Sequence, residues 1–430
     1  MNENKGVYLL ELSMEGFRCF KNKTSIFFGD EKNTWKRWTV LLGDNATGKT
    51  SILQLIAQFE LWGEDWNDLA NKSNEKSDSG ASLMRAYFPS FQLDYPHGSF
   101  FSCTVLAQGQ RHEFSYSKPK SGTVTYSGNT GSEFENQVFY GYGATRFMSK
   151  NALIESQSKN SETLYNDEAK LINAEEWLLQ LDYAASKQSE VQIYASRKRD
   201  KVKDILLNML PDISEIKFST PTKEDLKPKV LFKTPYGFVG IHELSLGYKT
   251  MVAWIVDLAA RLFERYQDSD NPLAEPAVVL VDEVDLHLHP KWQRKIFDYL
   301  SELFPKTQFI VTAHSPLVVQ SAPKDANIVL LRREGDYVVI DQDIKSVNKW
   351  RLDQILTSDL FGIESARSPE IEKLLYERTT LLQKKKLSEI ESERLRELNK
   401  IVHSLPVAEN DVDREAMEII RKAADAVKNK

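Results

Sequence analysis

The chain has 430 residues, of which 41% are hydrophobic, and a formal net charge of −6. That length and apolar content can bury a large core, read as one large domain with insertions. The acidic balance gives no global attraction to DNA and leaves open only local patches. Cys19 and Cys103, far apart, offer no disulfide framework and suit a reducing cytosol. No apolar run reaches transmembrane length and no signal peptide is read, so the expectation is a cytoplasmic protein without a membrane partner.

In chain order, residues 8–60 read as the first strands, a phosphate-binding loop and its helix. The apolar run Trp38–Leu42 is a buried strand, and Ser51–Ile56 supplies the first turns of a helix. Between them, Gly43-Asp44-Asn45-Ala46-Thr47-Gly48-Lys49-Thr50 fits the pattern G-x-x-x-x-G-K-[ST]. Gly43 and Gly48 let the backbone bend and aim successive N–H groups at a phosphate. The helix start at Ser51 adds partial positive charge. Lys49 can reach the β- and γ-phosphates, and Thr50 can offer a hydroxyl to Mg²⁺. The plain alternative is a glycine-rich turn carrying an unrelated lysine.

Residues 64–90 are polar and loop-like, and residues 91–141 read as β-rich hairpins with a turn at Gln108-Gly109-Gln110. Residues 148–167 are again polar. Helices are expected over 167–181 and 188–210, the second ended by Pro211. Lys229–Phe238 reads as a short hairpin. Glu243-Leu244-Ser245-Leu246-Gly247-Tyr248-Lys249-Thr250 then leads into an apolar helix from Met251 to Phe263. Ser245 and Gly247 at that helix start form either a second anion-binding surface or an ordinary N-cap.

Ala277–Val281 is apolar throughout, as a strand buried on both faces would be, and it ends in Asp282-Glu283. Carboxylates there lie where open α/β sheets bind ligands. Asp282 is a candidate Mg²⁺ ligand. Glu283 is a candidate base for the water that attacks a γ-phosphate. Phe309–Ala313 is another apolar strand and leads to His314, which either senses the γ-phosphate or simply packs or caps. Val338–Asp343 reads as the last hairpin. The tail predicts helices after Pro369, from Ser388 with Glu391 as a capping box, and from Asp413. Their apolar stripes pack either on the parent domain or on another chain.

The order of phosphate loop, Leu-Ser-x-Gly, Asp-Glu strand and histidine strand resembles the ATP-binding-cassette class of ATPases. More narrowly, the chain resembles the RecF/SMC branch with its OLD-like members. Tyr8–Phe20 is similar to that branch's first strand and turn, Tyr140-Gly141-Tyr142-Gly143-Ala144-Thr145-Arg146 to its middle motif, and Asp282–Pro290 to its acidic motif. Within the branch it looks most like the ATPase subunits of Septu-type antiphage systems, including retron-attached copies. Leu246 and Tyr248 depart from the usual Leu-Ser-Gly-Gly-Gln, and Gln137 is only a candidate for the branch's conserved-loop glutamine.

The resemblance implies an α/β phosphate-loop fold of the ABC type, with a mixed-sheet core, a β-rich subdomain, a helical insertion and a helical tail. The parts fall at 1–147, 148–228, 229–345 and 346–430. It implies ATP and Mg²⁺ as cofactors, held by residues Gly43 to Ser51, Arg146 and Asp282. It also implies that Ser245 and Gly247 serve the nucleotide of a second copy in a homodimer or larger oligomer. The implied partner is an HNH nuclease subunit, with a reverse transcriptase and its msDNA if retron-linked, and DNA or RNA contact is open. No nuclease centre is expected in the chain itself. The alternatives are a RecF-like DNA-repair ATPase without a nuclease partner, or a nuclease whose site in the tail escapes recognition.

Overall fold

The computed structural model describes residues 6–30, 32–60, 97–121, 125–127, 139–150, 160–223, 226–342, 344, 347–384 and 386–405. The polar stretch 64–90, Gln137 and the helix expected from Asp413 lie outside them. The chain divides into two compact units, Met1–Phe361 and Gly362–Lys430.

In the first unit, β1 (Val7–Glu15) and β2 (Thr24–Phe27) precede β3 (Trp38–Gly43), the loop and α1 (Lys49–Ala57). Next come β4 (Ser99–Ala107), β5 (Gln110–Lys118), β6 (Thr125–Ser127) and β7 (Phe139–Tyr142), then α2 (Ala174–Ser186) and α3 (Gln192–Met209). β8 (Glu215–Phe218), β9 (Val230–Thr234) and β10 (Gly237–Gly240) lead to α4 (Leu246–Arg265). β11 (Ala277–Val281), β12 (Thr307–Thr312), β13 (Asn327–Glu334) and β14 (Tyr337–Asp341) complete the core.

The core sheet has the order β14-β13-β3-β12-β11-β7. Its neighbours are parallel except for the closing β13–β14 hairpin. The parallel strands read as continuous apolar runs because alternate residues enter two different cores. Leu41, Val278, Leu280 and Ile310 join β1, β4 and α1 on one face. Val40, Leu42, Val279, Val281, Phe309 and Val311 join α4 and α3 on the other. A fully buried aliphatic side chain contributes about 1.5–3 kcal/mol, so a one-residue slip of any core strand is strongly disfavoured.

A second sheet, β2-β1-β4-β5-β6, is antiparallel in each of its pairings, and its β4–β5 hairpin turns through the left-handed residues Gln108 and Gly109. Gln308 joins the two sheets: its side chain accepts from Leu9 N at 2.8 Å and donates to Leu9 O at 2.9 Å. The expected hairpin before α4 gains a third strand, in the order β10-β9-β8.

Two expected boundaries shift. The first insertion helix begins at Ala174 rather than near 167, because the Asn173 side chain accepts from Glu176 N at 3.2 Å and caps it there. Residues just upstream are used otherwise: Ser149 N donates to Leu171 O and Leu171 N to Phe147 O, each at 2.9 Å. The apolar helix expected from Met251 begins five residues earlier, at Leu246, with Ser245 as its cap.

The second unit contains α5 (Pro369–Leu382) and α6 (Glu389–Ser404). Ser388 and Glu391 form the expected capping box. Arg394 pairs with Glu377 at 2.8 Å, and Arg378 Nε donates to Asn399 Oδ1 at 2.7 Å. Among the described residues, no helix is long and apolar enough to cross a membrane.

Candidate functional site

The C-terminal ends of β3, β11 and β12 open onto a cleft of about 380 Å³. Asn45, Ala46, Thr47, Gly48, Lys49, Thr50 and Ser51 line it from the loop side, and Asp282, Glu283 and His314 from the neighbouring strand ends. Gly48 takes φ 88°, and a Cβ there would stand 2.6 Å from Cys19 Sγ and 2.9 Å from the Phe20 ring. A glycine is therefore needed for both conformation and space. Gly43, at φ 141°, has the same double reason, since a Cβ would lie 2.4 Å from Leu331 O. Ala46 adds a left-handed turn at φ 65°.

Lys49 is buried, and its ammonium donates to Gly43 O at 2.7 Å and Asp44 O at 2.8 Å, folding back over the loop. Burial pulls its pKa below the ordinary lysine value, while Asp282, Asp44, Glu283 and Asp285 oppose the shift. Thr50 Oγ1 donates to Asp282 Oδ2 at 2.7 Å. Thr312 Oγ1 donates to Asp282 Oδ1 at 2.7 Å and accepts from Glu283 N at 2.7 Å. His314 is exposed at the cleft, and its main-chain N donates to Asp285 Oδ2 at 3.0 Å. Asp285 Oδ1 is buried and has no hydrogen-bond partner among the described residues.

The hydroxyl and carboxylate of Thr50 and Asp282 are hard oxygen donors within hydrogen-bond reach of each other. Such a pair, beside a loop of N–H groups and a lysine, fits Mg²⁺ arriving with a phosphate chain, because Mg²⁺ binds through a few protein oxygens and keeps the rest of its shell for phosphates and water.

Arg146 stands elsewhere. It is 2% exposed and does not line the cleft. Its guanidinium bonds main-chain carbonyls: Gly143 O at 3.0 Å, Glu283 O at 2.9 Å, and Asp282 O. Burial brings its pKa down to about 10, against the pull of Asp282, Glu283 and Asp285. Ser245 and Gly247 are likewise outside the cleft of their own chain. Ser245 caps α4 by accepting from Tyr248 N at 3.4 Å. Gly247 passes the turn after the acidic strand so closely that a Cβ would meet His287 O at 2.4 Å. Tyr248, in place of the usual glutamine, stacks on Trp292 at 5.3 Å and donates its hydroxyl to Pro211 O.

Several contributing residues escape a motif search. Thr312 follows an apolar run without a polar pattern of its own. Arg18 lines the cleft and donates to Ser51 Oγ at 2.6 Å and Gln54 Oε1 at 2.8 Å. It sits inside the Tyr8–Phe20 stretch, the one signal that could have found it. Asp257 is fully buried in α4, accepts from Tyr142 Oη at 3.0 Å and pairs with Arg261 at 2.6 Å. An acid inside the apolar stretch of α4, four residues before Arg261, was its available sign.

A family model described as "AAA domain, putative AbiEii toxin, Type IV TA system" matches residues 38–320, more than half of the chain. The chain belongs to this AAA-domain family. It is 25% identical to the Septu protein PtuA of Bacillus mycoides (strain KBAB4) over 394 residues, covering 91% of this chain and 50% of PtuA. It is 34% identical to the "Retron Vc95 probable ATPase" of Vibrio cholerae serotype O1 biovar El Tor, covering 35% of this chain and 28% of that protein. The chain thus spans about half or less of these curated relatives. Among solved structures, the SMC head domain from Thermotoga maritima aligns with a TM-score of 0.43 at 16% identity, over 78% of this chain and 99% of that one. Within this family it is similar to PtuA and to the retron probable ATPases.

Proposed function

We propose that the chain binds and hydrolyses Mg-ATP and works as a nucleotide-gated dimer switch in an antiphage defence system, controlling an HNH nuclease subunit. One observation carries the enzymatic part: Lys49, Thr50, Asp282, Glu283 and His314 converge on one cleft from three adjacent strand ends. The names of the Septu and retron relatives support the defence role.

The roles follow from position. The loop from Gly43 to Ser51 holds the phosphates through main-chain N–H groups and the start of α1. Lys49 exchanges its two carbonyl partners for phosphate oxygens. Thr50 and Asp282 would hold Mg²⁺, which would neutralise charge on the phosphates. Glu283 accepts a proton from water as the water oxygen bonds to the γ-phosphorus. The bond to the bridging oxygen breaks, and ADP and phosphate leave. His314 reports the γ-phosphate at the cleft wall.

Ser245 and Gly247, remote from their own cleft, serve the ATP of a second copy, so that binding closes the dimer and hydrolysis opens it. The four parts 1–147, 148–228, 229–345 and 346–430 divide this work, the last as an oligomer or partner surface. In a retron setting the assembly also includes a reverse transcriptase and msDNA. Phosphate release from Mg-ATP by the purified chain, and its co-purification with an HNH protein encoded alongside it, test the two halves. A folded chain that releases no phosphate rejects the first, and an HNH neighbour that never associates rejects the second.

A further inference from the structure

Arg146 is a buried cation that the hydrolytic scheme above leaves unused. Taking such a charge out of water is costly unless strong partners compensate. Its hydrogen bonds go to main-chain carbonyls, and two of them belong to the consecutive residues Asp282 and Glu283. The third, to Gly143 O at 3.0 Å, ties the same guanidinium to the end of β7. Glu283 itself sits at φ 49°, in the left-handed region. For a residue with a Cβ that conformation is strained. Hydrogen bonds from a charged donor are stronger than neutral ones, and two of them hold this turn. From the other side, Thr312 Oγ1 accepts from Glu283 N at 2.7 Å and Thr312 O accepts from Val284 N at 2.9 Å. Both peptide groups that flank the Glu283 Cα are therefore clamped twice, through their carbonyls by Arg146 and through their N–H groups by Thr312 of β12.

We infer that Arg146 is a positioning residue: its guanidinium fork fixes the main chain at Asp282 and Glu283 and so presents the Glu283 carboxylate to the phosphate cleft. The inference rests on the ATP-hydrolysis reading of that cleft. It departs from the nucleotide-contacting role that the sequence motif implied, since Arg146 does not line the cleft. Lysine at this position keeps the charge but not the planar fork that reaches separate carbonyls together.

The test compares wild type, Arg146→Lys and Arg146→Met, each alone and combined with Glu283→Gln, by fluorescent-ATP affinity and single-turnover hydrolysis. Arg146→Met is expected to bind ATP within about threefold of wild type and to hydrolyse it about a hundredfold more slowly, the scale of a misplacement near 1 Å. Arg146→Lys falls between the two. In the Glu283→Gln background neither change lowers the rate further, because Arg146 acts only through that carboxylate. If Arg146→Met fails to fold by circular dichroism, the Arg146→Lys series decides alone. Wild-type turnover in Arg146→Lys overturns the inference. So does an equal loss in the Glu283→Gln background, or an affinity that falls in step with the rate. A wild-type protein that hydrolyses nothing overturns the ATPase reading itself, which the wild-type arm distinguishes from failure of Arg146 alone.

Discussion

The Thr50 hydroxyl donates to the Asp282 carboxylate across 2.7 Å, joining residues 232 positions apart in the chain. The bond exists because β11 and β3 flank β12 in one parallel sheet, so their C-terminal ends face the same edge. Asp282 is held a second time by Thr312 from the strand between them. The carboxylate is thus oriented from both sides by hydroxyls of the chain itself, the kind of preorganisation that electrostatic catalysis uses.

Lys49→Ala should remove most ATP affinity. Lys49 is the cation at the loop itself, and its carbonyl partners at 2.7 and 2.8 Å are weak substitutes for phosphate oxygens. Isothermal titration with Mg-ATP measures the loss, and equal affinity in the variant would show that the loop amides suffice.

Glu283→Gln should keep ATP bound and slow hydrolysis by about a hundredfold or more, the usual scale for a general base. The amide preserves the shape of the side chain at φ 49° but cannot take the proton. Phosphate release at the parent rate would assign the base elsewhere.

Ser245→Arg and Gly247→Ala should separate assembly from folding. Ser245 is exposed, so arginine there leaves monomer stability and ATP binding largely unchanged while blocking ATP-dependent association. Gly247→Ala forces a Cβ towards His287 O, at 2.4 Å before relaxation, and should destabilise even the monomer by about 1–3 kcal/mol. Light scattering with and without ATP, beside thermal melts, reads both. ATP-dependent association of Ser245→Arg at the wild-type level would reject the role in a second copy's site.

Asp257→Ala should cost about 3–5 kcal/mol in stability, because it removes a fully buried carboxylate that the half-buried Arg261 pairs with. Tyr142→Phe, which deletes one hydrogen bond to the same carboxylate, should cost only about 0.5–1.5 kcal/mol. Urea denaturation gives both values. Near-equal losses would mean that the tyrosine, not the ion pair, dominates the network.

The tail hairpin should carry its own acid sensitivity. Hydrogen bonds from Lys384 and from Ser388 hold the Glu391 carboxyl down to about 2, against an ordinary value of 4.5. Because the folded value is the lower one, the stabilisation is complete above about pH 4.5 and fades as pH falls towards 2. The group is exposed, so salt should weaken the effect. Amide exchange across the first turn of α6 should therefore accelerate over that window in the native chain and not in Glu391→Gln. Parallel profiles in the two proteins would remove Glu391 as the cause.

Much of this molecule is legible in its residues taken in order. The loop pattern at 43–50, the acidic end of β11 and the histidine after β12 are local signals. Each couples a short motif to a strand buried on both faces, and such strands announce themselves as unbroken apolar runs. The capping box at Ser388 and the β13–β14 hairpin are local in the same way. The start of α2 lies later than the local pattern suggests because Leu171, though compatible with a helix, bonds the main chain of Phe147 and Ser149, contacts that no local pattern encodes.

Sequence alone therefore determined the type of fold and named most of the residues that line the cleft. Tertiary structure decided how those residues are supported. Only the folded chain shows Thr312 gripping Asp282, Gly247 passing against His287, and Arg146 turned away from the cleft and onto the carbonyls of the Asp-Glu turn. The physical reason is that a motif records the groups that meet a ligand, at fixed spacing along one strand and its loop. The groups that hold them meet across strands distant in sequence, through main-chain atoms that every residue carries alike.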